Sequence, residues 1–312
     1  MFGSKVINVE FYLGKIKHNL KSSSKLFNFK ENENYAKKIY DFVDYYIKKN
    51  DIEIHQNKLY YLKKIRDYLL DFIVLCDKEK DRNKINELFL LLIEEFNRYA
   101  LFGSVYLLRH PDKTKEKGRS LSFLGVKQAK HAAELIKNDI LLSPKPVKIE
   151  IYTSEIKRTE IFAKIIGHIN KEKIDKDDIE FFQKEDERLF MGPISQGVYN
   201  LHEEAIKEYG NKADFICFKN WLNKTKGFDK EIQEGGISDP IKVRNNIIAF
   251  VNFAIEEISN QNYYTIVIGI SHSWILDTWL YHYTGIQEII STAEYAKVEF
   301  NELYYRGKWT SL

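Results

Sequence analysis

The spacing of apolar residues changes character near residue 100, and that change limits what the chain can fold into. The first 100 residues hold no proline and two glycines. Three stretches there recur at the spacing of one helix face: Tyr35, Ile39, Phe42, Val43 and Tyr46; then Leu59, Leu62, Leu69, Phe72, Ile73 and Cys76; then Ile85, Leu88, Phe89, Leu92, Phe96 and Tyr99. The polar links between them, Lys49–Ile54 and Asp77–Asn83, are short, which favours antiparallel neighbours. Residues 1–102 therefore read as an all-α helical domain, with a structural role or a surface for self-association or a protein partner.

From Gly103 onward short apolar runs alternate with helical patterns. Val105–Leu108, Ile149–Tyr152 and Thr265–Ile270 read as strands, and Lys297–Leu303 as a closing edge strand. Leu124–Lys137 reads as a helix capped by Ser122, and Glu155–His168, Asp239–Ser259 and Trp274–Tyr283 as further helices. Residues 103–312 are thus expected to form an α/β domain, a three-layer α/β/α sandwich around a mainly parallel sheet. A chain of 312 residues is also longer than one core usually supports.

Composition narrows the function by exclusion. Lys and Arg number 48 against 45 Asp and Glu, a net charge of +3, so bulk charge does not indicate a nucleic-acid partner. Cys76 and Cys217 form no Cys-x-x-Cys pair and suggest reduced thiols in a cytoplasmic setting. No apolar run approaches a membrane span, and Met1 to Leu20 lacks the apolar core of a signal peptide. Phosphate-loop, dinucleotide-binding and zinc spacings are absent, so neither cofactor nor metal is expected.

The informative residues stand at the ends of three expected strands. The first strand runs into Arg109, His110, Pro111 and Asp112. The second is followed by Ser154 and, one helical turn on, Arg158. The third ends in Ser271, His272 and Ser273. In open α/β sheets ligands bind beyond the carboxyl ends of the strands. Two arginines and two histidines on that edge suit a tetrahedral oxyanion, because a guanidinium forks onto phosphate and imidazole can act as nucleophile, base or donor. Asp112, Lys113 and Ser273 flank these positions and are candidates for substrate contacts. The charged loop from Lys113 to Arg119 would steer an anionic substrate.

These residues carry a resemblance. Leu107–Leu108–Arg109–His110 resembles the Leu-Val-Arg-His-Gly signature of the histidine phosphatase superfamily, also called phosphoglycerate mutase-like. Leu121–Ser122–Phe123–Leu124–Gly125 with Gln128–Ala129, Tyr152–Thr153–Ser154 with Arg158, and Val267–His272 resemble its further blocks, in order, from Val105 to the C-terminus. The resemblance implies a metal-independent phosphomonoester hydrolase. His110 would be the nucleophile that forms a phosphohistidine, and Arg109, Arg158 and His272 would clamp the phosphoryl oxygens. It further implies a general acid in the segment Glu185–Gly192, with Glu187 the better fit and Glu185 the second. The substrate would be a phosphorylated small molecule or a phosphoprotein.

The chain departs from the pattern at two positions. Pro111 replaces a Gly or Ala after the nucleophile, and Ile237 stands where many members carry Glu, although Arg244 still follows. Both changes argue against a phosphoglycerate mutase with its exacting substrate contacts. A mutase-type phosphotransferase and a non-catalytic phospho-ligand binder, with the helical domain as partner surface, remain the alternatives.

Overall fold

A computed structural model describes residues 8–21, 28–50, 52–114, 120–143, 146–173, 179–259, 262–286 and 288–312. Four helices come first: α1 (Val9–Lys21), α2 (Phe29–Asn50), α3 (Gln56–Val74) and α4 (Arg82–Tyr99). The three periodic stretches of the sequence lie on α2, α3 and α4, and Ile39, Val43, Leu62, Leu69, Phe72, Phe89, Leu92 and Phe96 are all buried. α3 runs on into one π-type turn, Leu75–Glu79, which buries Cys76 and ends where Lys80 turns left-handed at φ 53°. Asp81 then caps α4, accepting from the Asn83 and Lys84 amides at 3.0 and 3.2 Å.

Seven strands follow in one sheet: β1 (Ser104–Arg109), β2 (Val147–Thr153), β3 (Ile179–Glu185), β4 (Tyr264–Ser271), β5 (Tyr295–Glu299), β6 (Glu302–Tyr305) and β7 (Lys308–Ser311). Their order is β3-β2-β4-β1-β5-β6-β7. The first four in that order pair in parallel, and β5, β6 and β7 extend the sheet antiparallel. Helices α5 (Phe123–Leu142) and α6 (Lys157–Lys173) follow β1 and β2. Between β3 and β4 lie α7 (Gln196–Tyr209), α8 (Ala213–Leu222), α9 (Phe228–Gln233) and α10 (Pro240–Ile258), and α11 (Ser273–Thr284) follows β4. The fold class is mixed α/β.

Side chains alternate across each strand and so feed two cores. Tyr106 and Leu108 of β1 join Ala133 of α5, Phe162 of α6 and, in the same cluster, Leu62, Phe72 and Leu92 of the N-terminal helices. Val105 and Leu107 join Ile247 and Val251 of α10 with Leu276 and Trp279 of α11. The turn at Ala100–Gly103 therefore separates helical from mixed sequence without separating the cores. Every residue of β4 is buried, as a central parallel strand requires. Among the described residues no helix is long and apolar enough to cross a membrane.

One expected strand takes a different form. Lys297–Leu303 is not a single edge strand. Phe300 and Asn301, at φ 52° and 59°, make a two-residue turn that folds the segment into the β5–β6 hairpin, and β7 takes the edge. Two successive left-handed residues are what a primed hairpin turn demands.

A cluster of charge fills the space between the N-terminal helices and the sheet. Lys58 of α3 donates from Nζ to Ser104 Oγ (3.0 Å), Tyr264 Oη (2.9 Å) and Glu299 Oε1 (2.5 Å). Lys297 Nζ lies 3.0 Å from both Asp139 Oδ2 and Glu299 Oε1. Tyr46 of α2 and Tyr106 of β1 each donate to the Asp139 carboxylate at 2.5 Å. All four charged side chains are buried, and two cations balance two anions.

Candidate active site

Strand register brings the three carboxyl ends together. Arg109 lies opposite Ser271, and Thr153 opposite Ile270. The His110 amide donates to the Ser271 carbonyl at 3.0 Å, and the Ser154 amide to the Ile270 carbonyl at 3.2 Å. Beyond these ends the His110 and His272 rings stand with centroids 5.0 Å apart, and Arg158 Nη2 reaches His272 Nδ1 at 3.1 Å. Arg158 sits in the first turn of α6, as its spacing from β2 predicts.

His110 is buried, and its Nδ1 meets the Pro111 carbonyl at 2.8 Å. A carbonyl only accepts, so Nδ1 carries the proton and Nε2 keeps its lone pair. Burial, then the nearby Arg158, Arg109 and Lys113, bring the imidazole down to about 3 against the opposing pull of the Pro111 carbonyl. The ring is therefore neutral, with one nitrogen protonated by construction and the other nucleophilic. Pro111, where the chain departs from the family pattern, thus supplies the acceptor that fixes the tautomer.

His272 is also neutral, held well below its usual value by burial and by His110, Arg158 and Arg109. Arg158 can only donate, so His272 Nδ1 accepts, and Nε2–H donates to Ser154 Oγ at 2.9 Å. Thr159 Oγ1 stands 3.1 Å from Ser154 Oγ and donates onward to backbone carbonyls. Both His272 nitrogens are thereby engaged, so the ring orients the Arg158 guanidinium instead of clamping the phosphoryl oxygens itself, the role the resemblance implies for it. Spacing alone does not single out this Ser154–Thr159 relay, although Ser154 stands in the block quoted from the sequence.

Arg109 is held differently. Its Nη1 donates to the Ile290 carbonyl, and its buried Nε has no hydrogen-bond partner in the protein. The Ile290 amide in turn donates to Asp277 Oδ1 at 2.8 Å. Asp277 and Arg109 are therefore linked through the backbone of one residue, Ile290, and the second Asp277 oxygen is buried without a partner among the described residues. Burial pushes Asp277 up to about 8, outweighing the Ile290 amide and Arg109. An acid raised in the fold loses stability as pH climbs from its unfolded value, near 4, to its folded one. Asp277→Asn is expected to gain stability over the parent from pH 5 to pH 8 in urea titrations; parallel pH profiles would refute that environment.

The flanking candidates divide. Asp112 is committed to the loop: its Oδ2 accepts from Ser122 Oγ (2.6 Å), and its amide donates to Gln128 Oε1 (2.9 Å). Gln128 continues to Thr292 (3.0 Å), so the Gly125–Gln128 motif fastens the segment after His110. A Cβ at Gly125 would stand 2.1 Å from the Asp112 carbonyl oxygen. Gly125→Ala is accordingly expected to cost about 1–3 kcal/mol by overpacking, read as a lowered thermal midpoint, and to shift the His110 loop. Lys113 begins a short bridge to Leu121, and its ammonium is lowered by partial burial and by Arg158 and Arg109. It therefore joins the cationic rim. Ser273 opens α11 beside His272 and is half-buried. Residues 115–119 of the expected steering loop lie outside the described residues.

Glu187 opens a 3₁₀ turn, Glu187–Leu189, at the same edge. The Asp186 amide donates to the Thr153 carbonyl (2.9 Å) and Ser271 Oγ to the Leu189 carbonyl (2.7 Å). The Glu187 carboxylate is exposed and makes no hydrogen bond, whereas Asp186 is paired with Arg188 at 2.5 Å. Glu185 is the exposed last residue of β3. This turn holds Glu187 at the strand edge, and none of the described contacts brings it to His110. Ile237 is buried in the core beside α10. Among the described residues no group of three His, Cys, Asp or Glu could hold a metal ion.

No protein-family profile matches the chain, and no curated protein does. Solved structures do. A phosphoglycerate mutase from Bacillus anthracis str. Sterne is similar at a TM-score of 0.47 and 13% identity, over 68% of this chain and 93% of that one. A mycobacterial glucosyl-3-phosphoglycerate phosphatase with inorganic phosphate is similar at 0.42 and 14%, over 62% and 88%. A structure described as mycobacterial hydrolase 1 gives 0.40 and 13%, over 67% and 97%. The first two of these similar structures are a mutase and a phosphatase.

Proposed function

We propose that the protein is a metal-independent phosphomonoester hydrolase of the histidine phosphatase type, with a three-layer α/β/α catalytic domain behind an all-α helical domain. The observation that carries the reading is the His110 ring, fixed with Nδ1 protonated and Nε2 free amid Arg158, Arg109 and Lys113. His110 Nε2 attacks phosphorus, a P–N bond forms, and the P–O bond to the leaving group breaks. Glu187 gives its proton to the departing oxygen. The Glu187 carboxylate then takes a proton from water, whose oxygen attacks phosphorus, and the P–N bond breaks to release inorganic phosphate. Arg109 and Arg158 neutralise the oxygens that remain charged throughout.

Incubation with phenyl phosphate in the presence of a chelator is expected to yield phenol and phosphate. It is also expected to leave acid-labile label on His110 in quenched samples. Absence of turnover with intact phosphate binding would replace this reading by that of a non-catalytic binder. Arg158→Met is expected to lower kcat by roughly a hundredfold, the loss typical of one such donor. An unchanged kcat would remove Arg158 from the clamp.

A further inference from the structure

A second cleft opens on the side of the molecule built by α8, α10 and α11. Its cavity volume is about 730 Å³, and none of Arg109, His110, Arg158 or His272 lines it. Three cationic or ionisable nitrogen side chains enter its wall from three helices: Lys219 of α8, Arg244 of α10 and His282 of α11. Phe215, Phe218 and Tyr281 supply aromatic surface between them, and among the described residues no acidic side chain contributes to the lining. His282 lies ten residues beyond His272, about 15 Å along a helix at 1.5 Å per residue.

Arg244 makes the cleft more than a groove. Among the described residues its Nε is buried without a hydrogen-bond partner and its guanidinium forms no ion pair. Lys219 has only the Phe215 ring beneath its ammonium, 5.5 Å from the centroid. A half-buried guanidinium left without an acceptor is costly, and such groups are normally satisfied by protein, water or ligand. Among the described residues nothing accepts from Arg244, and the cleft is the side on which its guanidinium is open.

We infer that this cleft is a binding site for an organic anion, one carboxylate, sulfonate or phosphate group carried on an apolar or aromatic body. The anionic group pairs with Arg244 and Lys219, where a guanidinium fork suits two oxygens. The apolar body lies against Phe215, Phe218 and Tyr281. The volume falls within the usual range for small-molecule pockets. The inference does not depend on the hydrolase reading, since it uses none of the residues assigned to that chemistry.

Naphthalene-2-sulfonate is a suitable probe because it has both parts and is not a phosphoester. Calorimetric titration of the full chain is expected to show one site of submillimolar affinity. Arg244→Met, which keeps the stem length, is expected to weaken it at least tenfold while the thermal midpoint stays within a few degrees. Arg109→Met is expected to leave it unchanged, and uncharged 2-methylnaphthalene to bind at least tenfold more weakly. No binding at millimolar concentration, equal affinity in Arg244→Met, or loss of the site in Arg109→Met would each overturn the assignment. If Arg244→Met fails to fold, Lys219→Met gives the same reading from a half-buried helix position.

Discussion

Replacing His110 by alanine is expected to reduce kcat on any phosphomonoester by at least about 10⁴-fold, the scale seen when a covalent nucleophile is removed. It should leave the thermal midpoint close to that of the parent. The two halves of that expectation have different origins. His110 gives the sheet edge one backbone hydrogen bond, to Ser271, which alanine keeps. Its side chain contributes a neutral ring whose Nε2 has no competing partner, and alanine removes it. The pH dependence separates this role from general-base catalysis. With its pKa lowered to about 3, chiefly by burial, His110 stays neutral across the range in which carboxylates titrate. Any acid limb between pH 4 and 7 must therefore come from a group other than His110. Acid-labile label that survived in His110→Ala would sink the nucleophile assignment outright.

The sequence carried the strand ends well because their chemistry is local. Arg109, His110, Arg158 and His272 each follow an apolar run directly or by one helical turn, and a strand's end can be read from such a run. β3 was missed for the opposite reason: Ile179–Glu185 is partly exposed, with the sequence Ile-Glu-Phe-Phe-Gln-Lys-Glu, so no apolar run marks it. The α7–α9 insertion likewise mixes polar and apolar residues without a long stripe. The relays were beyond reach because they join residues far apart in sequence. Nothing local ties Asp277 to Ile290 and on to Arg109, or His272 to Ser154. The β5–β6 turn failed on propensity, since Phe300 is an unusual residue at positive φ. The resemblance gave Gly125 and Gln128 as a motif, and the structure gives their physical reason in the Asp112 loop.

The second large effect is on stability and lies far from the catalytic edge. Asp139→Ala is expected to destabilise the fold by about 3–5 kcal/mol, the cost of breaking a buried ion pair from one side. Asp139 accepts from Tyr46 and Tyr106 and faces Lys297, so alanine strands two hydroxyls and leaves two lysines against Glu299 alone. Burial opposes the Asp139 charge, but Lys297, Lys58 and the two tyrosine hydroxyls outweigh it and hold the carboxyl below its usual range. Glu299 is lowered in the same way, and Lys297 is held well above its usual value by Asp139 and Glu299 against burial. The sign follows for each kind of group. Lowered carboxyls contribute above their unfolded values, near 4, and fail as pH falls through their folded ones. A raised lysine contributes below about 10 and fails above its folded value. The cluster's contribution is therefore flat from about pH 5 to 9, and the deficit of Asp139→Ala measured by urea unfolding should be constant over that window. Lys58 extends the argument to the whole chain, because it carries charge from the N-terminal helices onto β1, β4 and β5. Lys58→Met should cost a similar amount and lower helix and sheet signals together in one transition. Two separated transitions in the parent protein would show that the helices and the sheet unfold independently, despite the core they share.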